Sequence, residues 1–91
     1  MLLKIDILAK LDDSKRCDEI ERLIKMASYS TKVQVQLNRT NQFARFSHLA
    51  INPAQTPIII INGGIEFVGR KLDIDSVRQR LMEIAYKQES F

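Results

Sequence analysis

The chain has 91 residues, of which 45% are hydrophobic and 27% charged, a composition that suits one compact domain and excludes a disordered chain. Its apolar runs, such as Ile58 to Ile61, fall far short of the roughly 20 residues that a helical membrane span requires. Fourteen Lys and Arg against eleven Asp and Glu leave a net charge of +3, with the basic residues dispersed and no stacking aromatic between them, which argues against nucleic acid as a partner.

The single cysteine, Cys17, excludes an internal disulfide and a multi-cysteine metal site and fits a reducing compartment. Met1 to Asp6 lacks the apolar stretch and small-residue cleavage site of a secretory signal, so a cytoplasmic location is expected. A domain this small leaves little room for a large internal cavity, and any site is expected in a surface groove.

Leu3, Ile5 and Ile7 alternate with Lys4 and Asp6, the period of two that marks a first strand over 3–8. Leu11-Asp12-Asp13-Ser14 offers oxygen acceptors for the free N–H groups of a helix start, so Asp12 and Asp13 read as caps rather than as a catalytic carboxylate pair. From Cys17 onward Ile20, Leu23, Ile24 and Ala27 recur at helical spacing on one face. The hydroxyl-rich Ser28-Tyr29-Ser30-Thr31 is expected to end that helix.

Val33, Val35 and Leu37 alternate with glutamines over 32–37, which predicts a half-exposed strand near a sheet edge. A turn is expected at Asn38-Arg39-Thr40-Asn41, followed by a short second helix that carries Phe43, Phe46, Leu49 and Ala50 and ends before Asn52-Pro53. Phe43 and Phe46 then read as core, and His48, the one histidine, as a surface residue with no partners for a metal site. No metal or other cofactor is expected.

Pro57 lacks the N–H of a ladder residue and belongs at the first position of the strand it introduces, Ile58 to Ile61, which reads as buried on both faces. Asn62-Gly63 tolerates the positive φ of a type I′ turn and predicts a hairpin to a strand over 64–68, with Ile65 and Phe67 on one face. The last helix is expected to open at Asp73 as N-cap, with Leu72 and Val77 forming a hydrophobic staple. Residues 1–86 form the expected domain, and 87–91, without periodic pattern, a frayed tail.

The resulting order is β-α-β-α-β-β-α. With Gln55-Thr56-Pro57 before a buried strand and Asn62-Gly63 after it, the chain resembles the minimal thioredoxin and glutaredoxin fold, an α/β domain with a central mixed four-stranded sheet and helices on both faces. That resemblance implies a cis proline at Pro57 beside the redox site, with Thr56 and Pro57 forming part of a groove that pairs with peptide backbone. It also implies a C-x-x-C motif at the start of the first helix, where this chain has Ser14-Lys15-Arg16-Cys17. The first half, from Leu11-Asp12-Asp13-Ser14 through Lys32-Val33, is further similar to the N-terminal domain of the flavoprotein component of bacterial alkyl hydroperoxide reductase, in which the first of two thioredoxin folds has lost its cysteines.

By this alignment Cys17 takes the place of the resolving cysteine and Ser14 that of the exposed nucleophile. A serine hydroxyl forms no disulfide, so dithiol reduction is excluded for this chain. The implied function is a degenerate thioredoxin-like module that binds a protein or peptide, with Lys15, Arg16, Thr56 and Pro57 around the groove. The alternative is a single-thiol redox protein, in which Lys15 and Arg16 activate Cys17 to form a mixed disulfide with a partner or with glutathione. Against that stands the position of Cys17 at the head of an apolar stripe, which reads as core packing.

Overall fold

The computed structural model of the chain describes residues 2–68 and 72–89. The elements are β1 (Leu2–Leu8), a 3-10 turn (Leu11–Asp13), α1 (Ser14–Thr31) and β2 (Gln34–Thr40), then two 3-10 segments (Phe43–Leu49 and Pro53–Gln55), β3 (Ile58–Ile61), β4 (Gly64–Val68) and α2 (Ile74–Glu89). The four strands form one mixed sheet in the order β2-β1-β3-β4, with β1 parallel to β2 and antiparallel to β3, and β3 antiparallel to β4. The architecture is therefore mixed α/β.

The alternating residues of β1 sort onto the two faces as their period requires. Leu3, Ile5 and Ile7 join Ile59 and Ile61 in the main core, against Ile20, Ile24 and Ala27 of α1 and Val77 and Leu81 of α2. Both α-helices thus cover the same face. On the other face a smaller core gathers Leu8, Ile58 and Ile60 under Phe46, with Phe43, Leu49 and Ile51 packed against it. All four residues of β3 are buried, because this central strand has a core on each side.

Several element boundaries and types differ from those expected. The second helix is a 3-10 segment kinked at Phe46 (φ −116°, ψ 22°) rather than an α-helix. Its apolar residues Phe43, Phe46 and Leu49 recur every third position, which a 3-10 repeat of 3.0 residues per turn aligns on one face and an α-helical repeat of 3.6 does not. Asp13 precedes α1 but makes no side-chain capping bond; the 3-10 turn before the helix takes over, with the Asp13 N–H donating to the Lys10 carbonyl at 3.1 Å.

α1 ends at Thr31, where the hydroxyls fold back on the last turn. Thr31 Oγ1 donates to the Ala27 carbonyl at 2.8 Å, Ser28 Oγ to the Val33 carbonyl at 2.5 Å, and Lys32 takes the left-handed conformation at φ 58°. β2 is an edge strand, as expected, yet it continues to Thr40 through residues that read as a turn. The cause is its register on β1, which runs unbroken from Leu2 opposite Gln34 to Leu8 opposite Thr40.

Asn62 and Gly63 both adopt positive φ, 50° and 88°, as a type I′ turn demands. Asn62 also exchanges bonds with Lys4, donating its N–H to the Lys4 carbonyl at 2.8 Å and accepting the Lys4 N–H on Oδ1 at 2.9 Å. The register between β3 and β4 then slips: Ile60 pairs with Ile65 but Ile59 pairs with Phe67. Glu66 is the extra residue of a β-bulge, so Ile65 and Phe67 lie on opposite faces rather than together. Phe67 packs into the main core and Ile65 is exposed.

α2 is capped as the sequence indicates, with the Ser76 N–H donating to Asp73 Oδ1 at 2.8 Å and Leu72 packed on the core that buries Val77. The helix continues through Glu89, past residue 86, where the apolar pattern stops. The last two residues of the expected tail lie outside the described residues.

Candidate functional site

Ser14 is the first residue of α1 and is exposed, whereas Cys17, one turn later, is buried. The helix phase explains the difference. Cys17 lies in line with Ile20, Ile24 and Ala27 on the stripe that packs against the sheet, and Ser14 precedes the first turn of that stripe. At 4% exposure Cys17 is part of the main core.

Burial pushes the Cys17 thiol up from its ordinary pKa, the Arg39 guanidinium draws it down, and the carboxylates of Asp13, Asp18 and Glu21 push it up again; the net shift is upward. Burial and the upward shift both favour the neutral thiol over the thiolate that disulfide exchange uses. Lys15 and Arg16, expected to activate it, are not among the groups that set its shift. Arg16 pairs instead with Glu19 at 3.1 Å, and Lys15 is exposed on the helix surface.

Arg39 is the cation that matters at this position. It follows Val35 and Leu37 in the alternation of β2, so its side chain points to the face covered by α1, where it donates Nε to Glu21 Oε2 at 2.7 Å and Nη2 to Asp18. These bonds hold the Glu21 carboxyl below its usual range and keep Arg39 protonated. The same period of two that identified Val33, Val35 and Leu37 contained the signal for Arg39, which was obscured by the turn-like sequence around it.

A groove of about 410 Å³ opens at the carboxyl ends of β1 and β2. Ser14, Leu11 and Lys10 line it from the side of α1, while Thr40, Gln42 and Arg45 line it from the segment after β2, with Cys17 and Arg39 at its inner wall. The site thus brings Ser14 and Cys17 together with Lys10, Leu11 and Arg45, which sequence reasoning passed over because they lie in connections without periodicity.

The other predicted groove residues are placed elsewhere. Thr56 and Pro57 stand at the same end of the sheet, since Leu8 pairs with Ile58 on one side and opposite Thr40 on the other, but neither they nor Lys15 and Arg16 line the groove. The Thr56–Pro57 peptide is cis, and Pro57 is buried at the entry to β3. Thr56 turns its hydrogen-bonding groups inward to its own turn: Oγ1 donates to the Pro53 carbonyl at 2.9 Å and the N–H to the same oxygen at 3.4 Å.

Asp12 and Asp13 lie before α1 outside the groove lining, and His48 is exposed on the kinked 3-10 segment. Among the described residues no cluster of His, Cys, Asp and Glu is placed to hold a metal ion, and no helix is long and apolar enough to cross a membrane. Compared with protein-family models, curated proteins and solved structures, the chain gives no match.

Proposed function

We propose that the chain is a thioredoxin-like protein with a degenerate S-x-x-C site, which binds a protein or peptide and does not reduce disulfides. The fold part of this reading is supported by the element order: a crossover helix between two parallel strands, a kinked 3-10 segment in place of the second helix, and a Pro57-initiated β-hairpin followed by a helix on the face of α1. A reducing, cytoplasmic setting belongs to the same reading and is supported by the lone, unpaired thiol.

The observation that carries the functional part is the division of labour between Ser14 and Cys17. The exposed position at the head of α1 has an oxygen with no accessible anion near neutral pH, and the remaining sulfur is buried with its thiol form favoured. What is left at this end of the sheet is a groove without a nucleophile, and a groove at the carboxyl ends of strands is the usual binding position in open α/β sheets. Burial of Cys17, with its thiol form favoured, supports this reading over the single-thiol alternative.

Selection of a displayed peptide library on the full chain tests it, with binding peptides mapped by amide chemical shifts. Enriched peptides should shift the amides of Leu11, Ser14, Thr40 and Gln42, and Cys17→Ala should bind them with unchanged affinity. Shifts confined to another surface, or loss of binding in a folded Cys17→Ala chain, would reject the proposal.

A further inference from the structure

The groove is unevenly charged in a way that identifies what fits it. Among the described residues, Lys10 and Arg45 line it without an ion-pair partner, whereas Arg39 at its inner wall is already neutralised by Asp18 and Glu21. No carboxylate lines the groove; its remaining polar side chains are hydroxyls and amides, including those of Ser14, Thr40 and Gln42. The Arg45 guanidinium lies over the Phe46 ring, 5.6 Å from the centroid, a contact with the ring that uses none of its N–H groups as donors to an oxygen acceptor.

Leu11 lines the same groove and is 82% exposed, more than any other large aliphatic side chain among the described residues. It occupies the 3-10 turn between β1 and α1, where no packing requirement of the core explains an apolar residue. Two cations without ion-pair partners and an exposed leucine in one groove match an extended ligand that carries both carboxylates and an apolar side chain. A compact anion would leave Leu11 uncovered.

Resting on the peptide-binding reading above, we infer that the occupant of this groove is an acidic peptide segment, whose carboxylates pair with Lys10 and Arg45 and whose apolar side chain covers Leu11. Charge complementarity of this kind sets partner choice and association rate more than raw affinity. The ion pairs remain open to water, so each contributes modestly and weakens with added salt.

The test uses fluorescence anisotropy of the full chain with three labelled probes: a short peptide of alternating Glu and Leu, the same peptide with Gln for Glu, and a single-stranded oligodeoxynucleotide. The Glu peptide should bind most tightly and lose affinity with ionic strength. Lys10→Gln and Arg45→Gln should each weaken it about three- to fivefold, the range for solvent-exposed ion pairs, while Lys32→Gln, at the opposite end of β2, should leave it unchanged. Leu11→Ser should weaken both peptides alike.

Equal affinity for the Glu and Gln peptides, or equal effects of Lys10→Gln and Lys32→Gln, would overturn the acidic assignment while leaving peptide binding intact. Tighter binding of the oligonucleotide than of the Glu peptide would also overturn it. Failure of every peptide, library-selected ones included, to shift the groove amides would instead reject the peptide-binding reading itself.

Discussion

Arg80 of α2 grips Glu66 of β4 with both sides of its guanidinium, donating Nε to one carboxylate oxygen at 2.5 Å and Nη2 to the other at 3.0 Å. The bulge makes this contact possible. In an unbroken strand Glu66 would face away from its neighbours Ile65 and Phe67, but the extra residue turns it to the helix side of the sheet together with Phe67. Arg80 also donates to Glu83 at 3.0 Å, which holds it in place along α2.

The pair fastens the last helix to the edge strand, and it is only partly open to water, with the Glu66 side chain 17% and the Arg80 side chain 35% exposed. Bidentate geometry favours it, and solvent screening limits it. Glu66→Gln and Arg80→Ala should each destabilise the fold by about 1 kcal/mol, with a coupling energy of about 0.5–1 kcal/mol in a double-mutant cycle. Urea unfolding of the four chains measures this, and additivity of the two changes would show that the contact does not couple the helix to the strand.

Ser14→Cys tests the alignment of this chain with the redox motif. Positions three apart at the head of an α-helix have Cα atoms about 5 Å apart, within the roughly 4.4–6.8 Å that a disulfide spans. The variant should lose two hydrogens by mass under oxidising conditions and gain insulin-reducing activity, which the natural chain should lack. A variant that keeps two free thiols would show that residue 14 is not the nucleophile's position.

Cys17 should resist iodoacetamide at neutral pH in the folded chain and react once urea unfolds it. Because the folded state raises its pKa, the neutral thiol adds stability at pH values below the ordinary thiol pKa, and that contribution is lost as pH rises through the higher folded value. Stability should therefore fall in alkaline solution, and less so in Cys17→Ala, which itself should cost about 1 kcal/mol. Rapid alkylation of the folded chain at neutral pH would contradict the burial of the sulfur.

Phe46 is the one buried residue of the 3-10 segment and covers the second face of the sheet with Leu8, Ile58 and Ile60. Truncation to Ala should cost about 3–5 kcal/mol, the range for a buried phenylalanine. Denaturant titration would reveal the loss, and a cost below about 1 kcal/mol would mean that this face tolerates exposure. The Arg45 side chain also rests on this ring, so Phe46→Leu should weaken the binding of a Glu-containing peptide while preserving more of the core.

Much of the fold was legible because its signals are local. The alternation in β1, the four consecutive isoleucines of β3, Asn62-Gly63 and the Asp73 cap each act through a few neighbouring residues, and the structure places them as the pattern indicates. Where the expectations failed, a distant partner set the outcome. β2 runs to Thr40 because β1 offers it a parallel partner to Leu8, and Glu66 bulges because β3 and β4 pair out of step. The repeat at Phe43, Phe46 and Leu49 was visible in the sequence, but its spacing of three belonged to a 3-10 segment.

The site divides in the same way. By itself the sequence determined that only one cysteine exists and that it heads an apolar stripe, and this alone excludes an internal dithiol. Tertiary structure decided the rest: that Cys17 packs between α1 and the sheet, that Arg39 of β2 comes close enough to act on its thiol, and that Lys10 and Arg45 line the groove beside it. Helix phase is a property of neighbouring residues, whereas burial, charge compensation and the walls of a groove arise only when segments far apart in sequence meet.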